Sequence, residues 1–221
     1  MIVTLAELDS LGKRAMAGRG APPGIDEDAA FATVWLESRG LPGLGALVAQ
    51  LDKFPIQVKA PEIKGTKLDA LGQSAVLLAG AIIDQTVIAG SEAQLMVTNL
   101  VDPVFLLPLA DKRHRSGWSF EIAWPGAEAR IDTDGTVALV GDLSGMNDVP
   151  VHVSISCQQR PLDAMSAPSD LDQHRREILA TGLDIDDALR QRLSAHAATS
   201  LVPATEESRR RGAGAEASDN A

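Results

Sequence analysis

Four histidines, at positions 114, 152, 174 and 196, are the side chains of this sequence best suited to proton transfer near neutral pH. They lie in separate segments, and none has the HExxH spacing of a zinc site, so we expect no bound metal. His152 alternates with Ser154 and Ser156 in a strand-like stretch, which places the three side chains on one polar face. A solvated strand face explains this pattern equally well. His152 is therefore a candidate catalytic residue with a structural alternative.

Asp102 is the second candidate catalytic residue. It precedes Pro103, and this pair is typical of a helix start, with the aspartate as N-cap and the proline in the first turn. Local hydrogen bonds at helix starts and turns also account for the other carboxylate groups of the sequence: Asp26 and Asp28, Asp132 and Asp134, and Asp184, Asp186 and Asp187. Cys157 ends the apolar face of a predicted strand, which indicates a buried thiol.

Three consecutive arginines, Arg209, Arg210 and Arg211, lie in a segment rich in glycine, alanine and serine. Residues 203–221 show no periodic apolar pattern, which predicts a flexible tail. The alternative is a loop that folds over a bound anion, because arginine binds carboxylate or phosphate bidentately and glycine lets backbone N–H groups approach it. The three arginines are thus candidate anion contacts.

Residues 40–45, Gly-Leu-Pro-Gly-Leu-Gly, superficially resemble a nucleotide-binding loop. A dinucleotide fingerprint requires a strand before its glycines and a helix after them, whereas a predicted helix precedes these. The pattern therefore indicates a helix end and a tight turn. The sequence also lacks a GxxxxGK[ST] phosphate loop, so the residues alone name no cofactor.

Composition narrows the class of protein. The net charge of −10 and the aromatic content of 3% argue against nucleic-acid binding, which needs a basic surface and often stacking platforms. A single cysteine permits no internal disulfide. The longest apolar stretch, residues 75–83, is too short to span a bilayer. We therefore expect a soluble, acidic, cytoplasmic protein that binds neither nucleic acid nor membrane.

The periodicity of apolar residues predicts the elements that position these side chains. Residues 1–52 predict a helical cluster, in which Thr4 and Glu7 form a capping box and Asp26 caps the second helix. Strands are predicted over residues 74–78, 94–99, 118–124 and 149–157, with a hairpin around Thr133-Asp134-Gly135. Residues 104–115 predict a helix that starts late or kinks at Pro108, and residues 171–201 predict one helix or two, broken near Gly182.

This order predicts an α/β fold, with α+β as the alternative. A helical N-terminal cluster precedes a mixed β-sheet core with helices, followed by a C-terminal helix and a flexible tail. We expect one α/β domain over residues 1–202 and the tail over residues 203–221.

Two resemblances follow from these residues. The opening Met-Ile-Val-Thr-Leu-Ala-Glu-Leu and the closing segment, from Val202 through the three arginines to Asn220, resemble a proteobacterial family of unknown function. That resemblance runs nearly end to end and implies a cytoplasmic bacterial protein, but no activity. Residues 5–51, 68–99 and 104–123 are similar in element order to malate/L-lactate dehydrogenase-like oxidoreductases, which use NAD(P).

The catalytic histidines of that dehydrogenase family have no counterpart in this sequence. One lies in a Ser-His-Gly turn, where this chain has residues 41–45, and the other follows an asparagine, where this chain has residues 99–103. The resemblance therefore implies that hydride-transfer chemistry has been lost or replaced.

Three hypotheses about function remain open. The first is an enzyme or enzyme subunit of amino-acid or organic-acid metabolism that binds a small anionic metabolite. The second is a non-catalytic accessory protein that docks on a partner enzyme. The third is a divergent NAD(P)-dependent oxidoreductase. The sequence does not distinguish a monomer from a homo-oligomer.

Overall fold

A computed structural model describes residues 2–53, 56–91, 93–141, 143, 149–163 and 171–200. Within these residues the chain is a mixed α/β fold with seven α-helices. Their bounds are α1 Leu5–Gly18, α2 Ile25–Glu37, α3 Leu44–Asp52, α4 Ala75–Ala89, α5 Leu106–His114, α6 Leu171–Thr181 and α7 Asp187–Ala198. The predicted fold class is confirmed. None of the helices in the described part of the chain has both the length and the apolar character needed to cross a lipid bilayer.

A mixed sheet forms the centre of the fold. The strands of the described chain are β1 Ile2–Val3, β2 Glu62–Lys64, β3 Lys67–Asp69, β4 Gln94–Leu100, β5 Ser119–Trp124, β6 Ala127–Ile131, β7 Val137–Gly141, β8 Val151–Gln158 and β9 Leu183–Asp184. The main sheet has the order β2-β3-β4-β8-β5-β6-β7, in which β3 and β4 are parallel and the other neighbours antiparallel. β1 and β9 form a separate antiparallel pair.

Side chains alternate across this sheet as the sequence predicts. Val153, Ile155 and Cys157 of β8 are buried, and they adjoin buried side chains of β4 and β5 such as Leu95 and Ile122. Helix α4 packs on β4 and β8, and α2 and α5 pack on α4. The apolar core therefore lies between one face of the sheet and these helices.

The helix ends follow local hydrogen bonding. Thr4 and Glu7 form the predicted capping box at the start of α1, with Oγ1 of Thr4 accepting from the Glu7 N–H at 3.1 Å. Asp26 does not cap α2, because its carboxylate accepts from the N–H of Gly24, which itself occupies the N-cap position. Residues 171–200 form two helices, and the Asp186 carboxylate caps the second by accepting from the Leu189 N–H.

The prediction of a strand at residues 74–78 is wrong, because these residues begin helix α4. Ser74 is its N-cap, and its hydroxyl accepts a hydrogen bond from the Val76 N–H at 3.1 Å. Residues 75–79 are all buried, since α4 is enclosed by the sheet, α2 and α5. A helix covered on most sides shows a continuous apolar run, which periodicity does not distinguish from a buried strand.

Candidate functional site

A polar pocket of about 540 Å³ lies where α2, α5, α6 and the turn between β6 and β7 meet. α2 and the residues just after it supply Trp35 and Arg39, whereas the last turn of α5 supplies Asp111 and His114. The turn and α6 complete the pocket. Their charged lining side chains are Asp134, Asp172, Arg175 and Arg176.

Arg39 is the buried cation of this pocket. It is only 7% exposed, and its guanidinium stacks on the Trp35 ring at 3.9 Å from the ring centroid. The two residues are four apart at the end of α2, a spacing that brings side chains together on a helical surface. Within the described part of the chain the buried Arg39 Nε has no hydrogen-bond partner, and the nearest carboxylate oxygen, Oδ1 of Asp172, lies 3.8 Å from Nη2.

Asp111 connects two other members of the site. Its Oδ2 accepts a hydrogen bond from the indole Nε1 of Trp35 at 2.6 Å, and its Oδ1 lies 3.1 Å from Nδ1 of His114. The Asp111 side chain is 13% exposed and that of His114 is 24% exposed. The carboxylate therefore fixes the indole and the imidazole in one partly buried network.

Positive charge is in excess in the pocket. Four arginines, at positions 39, 115, 175 and 176, face three aspartates, at positions 111, 134 and 172. Burial lowers the pKa of the Arg39 guanidinium; Asp111 and Asp172 oppose this shift, and Arg175 adds to it. The guanidinium nevertheless stays protonated at neutral pH. Hydrogen bonds from Thr136 lower the pKa of Asp134, and His114 adds a smaller electrostatic contribution.

This arrangement is suited to holding a small anion. A buried guanidinium with an unused N–H is poorly satisfied by protein groups alone, because burial of a charged donor is costly unless it is hydrogen-bonded. A carboxylate or phosphate can fill that role bidentately. The neighbouring imidazole of His114 adds a group that can donate or accept a hydrogen bond.

Residues 3–79 match a family model described as "Protein of unknown function (DUF3726)". This match covers α1 to α3 and the start of α4, including Trp35 and Arg39. No curated protein matches the chain.

The fold is similar to that of malate/lactate dehydrogenase-like proteins of known structure. A dehydrogenase from Sinorhizobium meliloti aligns with a TM-score of 0.68 and 15% identity over 89% of this chain and 99% of that one. The malate dehydrogenase of Entamoeba histolytica gives 0.61 and 7% identity, covering 92% and 99% of the two chains. Sulfolactate dehydrogenase of Methanocaldococcus jannaschii gives 0.58 and 10%, covering 90% and 97%.

Asp102 lies in the framework that joins the sheet to α4, and it is not among the residues lining the pocket. Its Oδ2 accepts a hydrogen bond from the Ser74 hydroxyl at 2.7 Å, and its side chain makes no capping hydrogen bond to the 3₁₀ turn Pro103–Phe105 that follows. Its backbone is left-handed, with φ of 53°. The predicted position of the helix start is therefore correct. The Asp102 side chain, however, bonds to Ser74 at the start of α4 and does not cap the helix that follows it.

His152 lies on the exposed face of the sheet, near the start of β8, and does not line the pocket. It makes a small electrostatic contribution to Asp69, whose pKa is lowered mainly by hydrogen bonds from Asn99 and the Leu71 N–H. The structure thus separates His152 from the Arg39 pocket. Its catalytic role stays a prediction, as does that of Asp102.

The candidate anion contacts Arg209, Arg210 and Arg211 lie outside the described residues, so their role also stays a prediction.

The residues that sequence reasoning missed are Arg39 and His114. His114 lies in the charged sequence Lys-Arg-His-Arg, yet its ring is mostly buried against Gly135 and Asp111. The available signal was the i, i+4 spacing of Trp35 and Arg39.

Cys157 and residues 40–45 behave as the sequence indicates. Cys157 is buried, and burial raises the pKa of its thiol to about 11, so it is protonated at neutral pH. At residues 40–45 the chain leaves α2 and enters α3, and a Cβ on Gly43 would lie 2.9 Å from the carbonyl oxygen of Thr33. That glycine allows close packing on α2.

Proposed function

We propose that the Arg39 pocket binds a small anionic metabolite, and that the chain acts as an enzyme or enzyme subunit of amino-acid or organic-acid metabolism in the bacterial cytoplasm. The observation that carries this proposal is the buried Arg39 Nε, which has no hydrogen-bond partner within the described residues. An N–H donor of this kind is expected to have a partner, since buried polar groups in native proteins are almost always hydrogen-bonded.

The charge distribution supports an anion rather than a neutral ligand. The chain as a whole carries a net charge of −10, yet the pocket brings together four arginines and three aspartates. A local excess of positive charge on an acidic protein raises the concentration of anions at that point. The volume of about 540 Å³ suits a metabolite rather than a macromolecule.

The proteins of similar fold support a carboxylate as the anionic group. The names of two of them specify malate and sulfolactate as substrates. Both compounds carry a carboxylate, which pairs with the planar fork of a guanidinium. We therefore expect an organic acid in this pocket.

A thermal-shift screen of the full chain against small carboxylic acids, followed by calorimetry on the acids that stabilise it, tests this proposal. Binding raises the melting temperature as the ligand exceeds its dissociation constant. Arg39→Met should weaken binding at least about tenfold, since loss of a charge-assisted hydrogen bond costs about 1.5–3 kcal/mol. Arg39→Lys should recover only part of it, because lysine lacks the bidentate geometry.

Arg190→Met is the matched control for these variants. Arg190 also has a buried Nε without a hydrogen-bond partner in the described residues, but this nitrogen lies 4.0 Å from Oδ1 of Asp187, and Arg190 lines the groove between α1 and α7. This variant should bind the acid normally.

Replacement of Arg209, Arg210 and Arg211 by glutamine tests whether the tail adds contacts. Equal affinity of wild type and Arg39→Met, or no binding by any acid of the panel, would contradict the proposal.

An NAD(P)-dependent oxidoreductase is a second candidate, favoured by the fold alone. The glycine loop at residues 40–45 does not fit a dinucleotide, because its glycines pack against the protein itself. A Cβ at Gly43 would contact Thr33, and a Cβ at Gly40 would contact the His174 ring. A dinucleotide would have to bind elsewhere. Thermal shifts with millimolar NADH and NADPH test this candidate, and unchanged melting temperatures would eliminate it.

A further inference from the structure

The imidazole of His114 is held in one tautomer. Its Nδ1 contacts two oxygens of Asp111, the carboxylate Oδ1 at 3.1 Å and the backbone carbonyl. A carboxylate and a carbonyl only accept hydrogen bonds, so Nδ1 must carry the proton. The neutral ring then has its lone pair on Nε2, which is the form required of a general base.

Nε2 of His114 lies over Gly135 at the wall of the pocket. A Cβ at Gly135 would come within 3.2 Å of Nε2, and this glycine has a left-handed backbone with φ of 85°. The turn between β6 and β7 therefore brings bare backbone against the ring. In the described part of the chain Nε2 has no hydrogen-bond partner, which leaves its lone pair available to a ligand in the pocket.

Asp111 is in turn held by Trp35. The indole N–H donates to Oδ2 at 2.6 Å, so both carboxylate oxygens are committed, one to the indole and one to the imidazole. A fixed carboxylate beside Nδ1 orients the ring and stabilises the imidazolium that forms when Nε2 takes up a proton. Asp111 is therefore a positioning residue for His114.

We propose that His114 is a general base that removes a proton from the carbon next to the carbonyl of an oxo acid bound in the Arg39 pocket. This inference rests on the proposed function, because Arg39 must hold the acid. The C–H bond breaks and its proton goes to Nε2, its electron pair forms the new carbon–carbon double bond, and the carbonyl π pair moves to oxygen. Arginine N–H groups of the pocket stabilise the resulting enolate.

The step is balanced without a further reactant. Return of a proton to the same carbon regenerates the oxo acid, so the reaction is enolisation, with no oxidant, reductant or leaving group. A hydroxy acid, by contrast, would need a hydride acceptor. The combination of base and guanidinium thus favours oxo acids as the substrate class and proton transfer as the chemistry.

Proton NMR in D₂O tests this activity with the full chain and either pyruvate or 2-oxobutyrate. Wild type should accelerate exchange of the C3 hydrogens above the buffer rate. His114→Gln should slow the enzyme-dependent rate by a hundredfold or more, the usual contribution of a general base. His174→Gln, which changes a histidine outside the pocket lining, should exchange at the wild-type rate.

Two further readouts separate a catalytic role from a structural one. Added imidazole should restore exchange to His114→Ala, and ¹⁵N NMR should show protonated Nδ1 in neutral His114 of the wild type. Calorimetry on the same samples measures binding. Binding without exchange in wild type, or unchanged exchange in His114→Gln, would overturn this inference and leave the proposed function standing; absence of binding would overturn both.

Discussion

Trp35 and Asp111, which are 76 residues apart in sequence, are joined by a hydrogen bond of 2.6 Å from the indole Nε1 to the carboxylate Oδ2. This bond ties the end of α2 to the last turn of α5 and so determines the spacing between Arg39, which stacks on the same indole, and His114, which is bound to the same carboxylate. This contact therefore links the two sides of the pocket.

Trp35→Phe should therefore destabilise the protein by about 1–3 kcal/mol, because it leaves the mostly buried Asp111 carboxylate without one of its charge-assisted donors while keeping an aromatic ring. Urea unfolding followed by circular dichroism measures the change. Trp118→Phe is the control. Trp118 is partly buried, whereas Trp35 is buried, and the Trp118 indole N–H makes no hydrogen bond within the described residues, so this substitution should cost less. Equal losses in the two variants would contradict the importance of the indole hydrogen bond.

Glu37 should make stability fall as the pH rises. Its Oε1 accepts from the N–H groups of Gly43 and Leu44, at 2.8 and 2.6 Å, at the start of α3. Burial raises the pKa of Glu37 above its ordinary value of 4.5, and these two hydrogen bonds only partly oppose the shift. The native state thus binds the proton more tightly than the unfolded chain does, so stability decreases from about pH 4.5 up through the folded-state pKa.

Glu37→Gln should remove this decrease, because the amide oxygen still accepts both hydrogen bonds and does not ionise. The difference in unfolding free energy between variant and wild type, measured in urea from pH 4 to pH 8, should therefore grow in favour of the variant. Glu27→Gln changes an exposed glutamate of the same helix and should leave the slope as it is. A parallel pH profile for Glu37→Gln and wild type would disagree with a raised pKa.

Asp52 should act in the opposite direction. It lies at the end of α3 and accepts hydrogen bonds from Arg192 and, at 2.8 Å, from Nε2 of His196, both on α7. Burial alone would raise the pKa of Asp52, but these two bonds outweigh it and lower the pKa below 3.8. Asp52 thus contributes to the free energy of unfolding above pH 3.8, and this contribution is lost as the pH falls through the folded-state pKa.

Asp52→Asn should cost only about 0.5–1 kcal/mol at pH 6, because the carboxylate is 41% exposed and solvent screens the pair. The cost should disappear at the acid end of a urea-unfolding series. A cost that stays constant down to pH 3 would show that the carboxylate charge is not what stabilises the contact between α3 and α7.

The thiol of Cys157 should react slowly in the native protein. Its pKa of about 11 leaves about one thousandth of it as thiolate at pH 8, against about one tenth for an unfolded thiol with a pKa of 9. Labelling with a thiol-specific disulfide reagent should therefore be at least a hundredfold slower in buffer than in denaturant. Comparable rates would show that the thiol is accessible.

Local hydrogen bonds and simple periodicity explain most of what the sequence predicted correctly. The capping box of Thr4 and Glu7 needs only neighbouring residues, and the alternation in β8 follows from one covered face of the sheet. α4 was mistaken in part for a strand because its environment, covered by the sheet and two helices, is a tertiary property. An apolar run carries no mark of what covers it.

The candidate site was harder to predict than the fold, because its members meet only after folding. Arg39 and His114 come from α2 and α5, and what brings them together is Asp111, an isolated aspartate in a charged stretch. The sequence draws attention instead to clustered charges such as Arg209, Arg210 and Arg211. What marks Arg39 as a candidate is its burial, and no short sequence motif predicts that a single arginine will be buried.

The Nε–Hε resonance of Arg39 in a ¹H–¹⁵N NMR spectrum tests the central claim most directly, and Arg39→Lys assigns it by its absence. If the pocket binds an organic acid through this group, titration with an acid that raises the melting temperature should shift the resonance saturably and slow its exchange with water, while the Arg190 Nε–Hε resonance stays unchanged. A resonance of Arg39 that does not move while the acid binds would contradict the account.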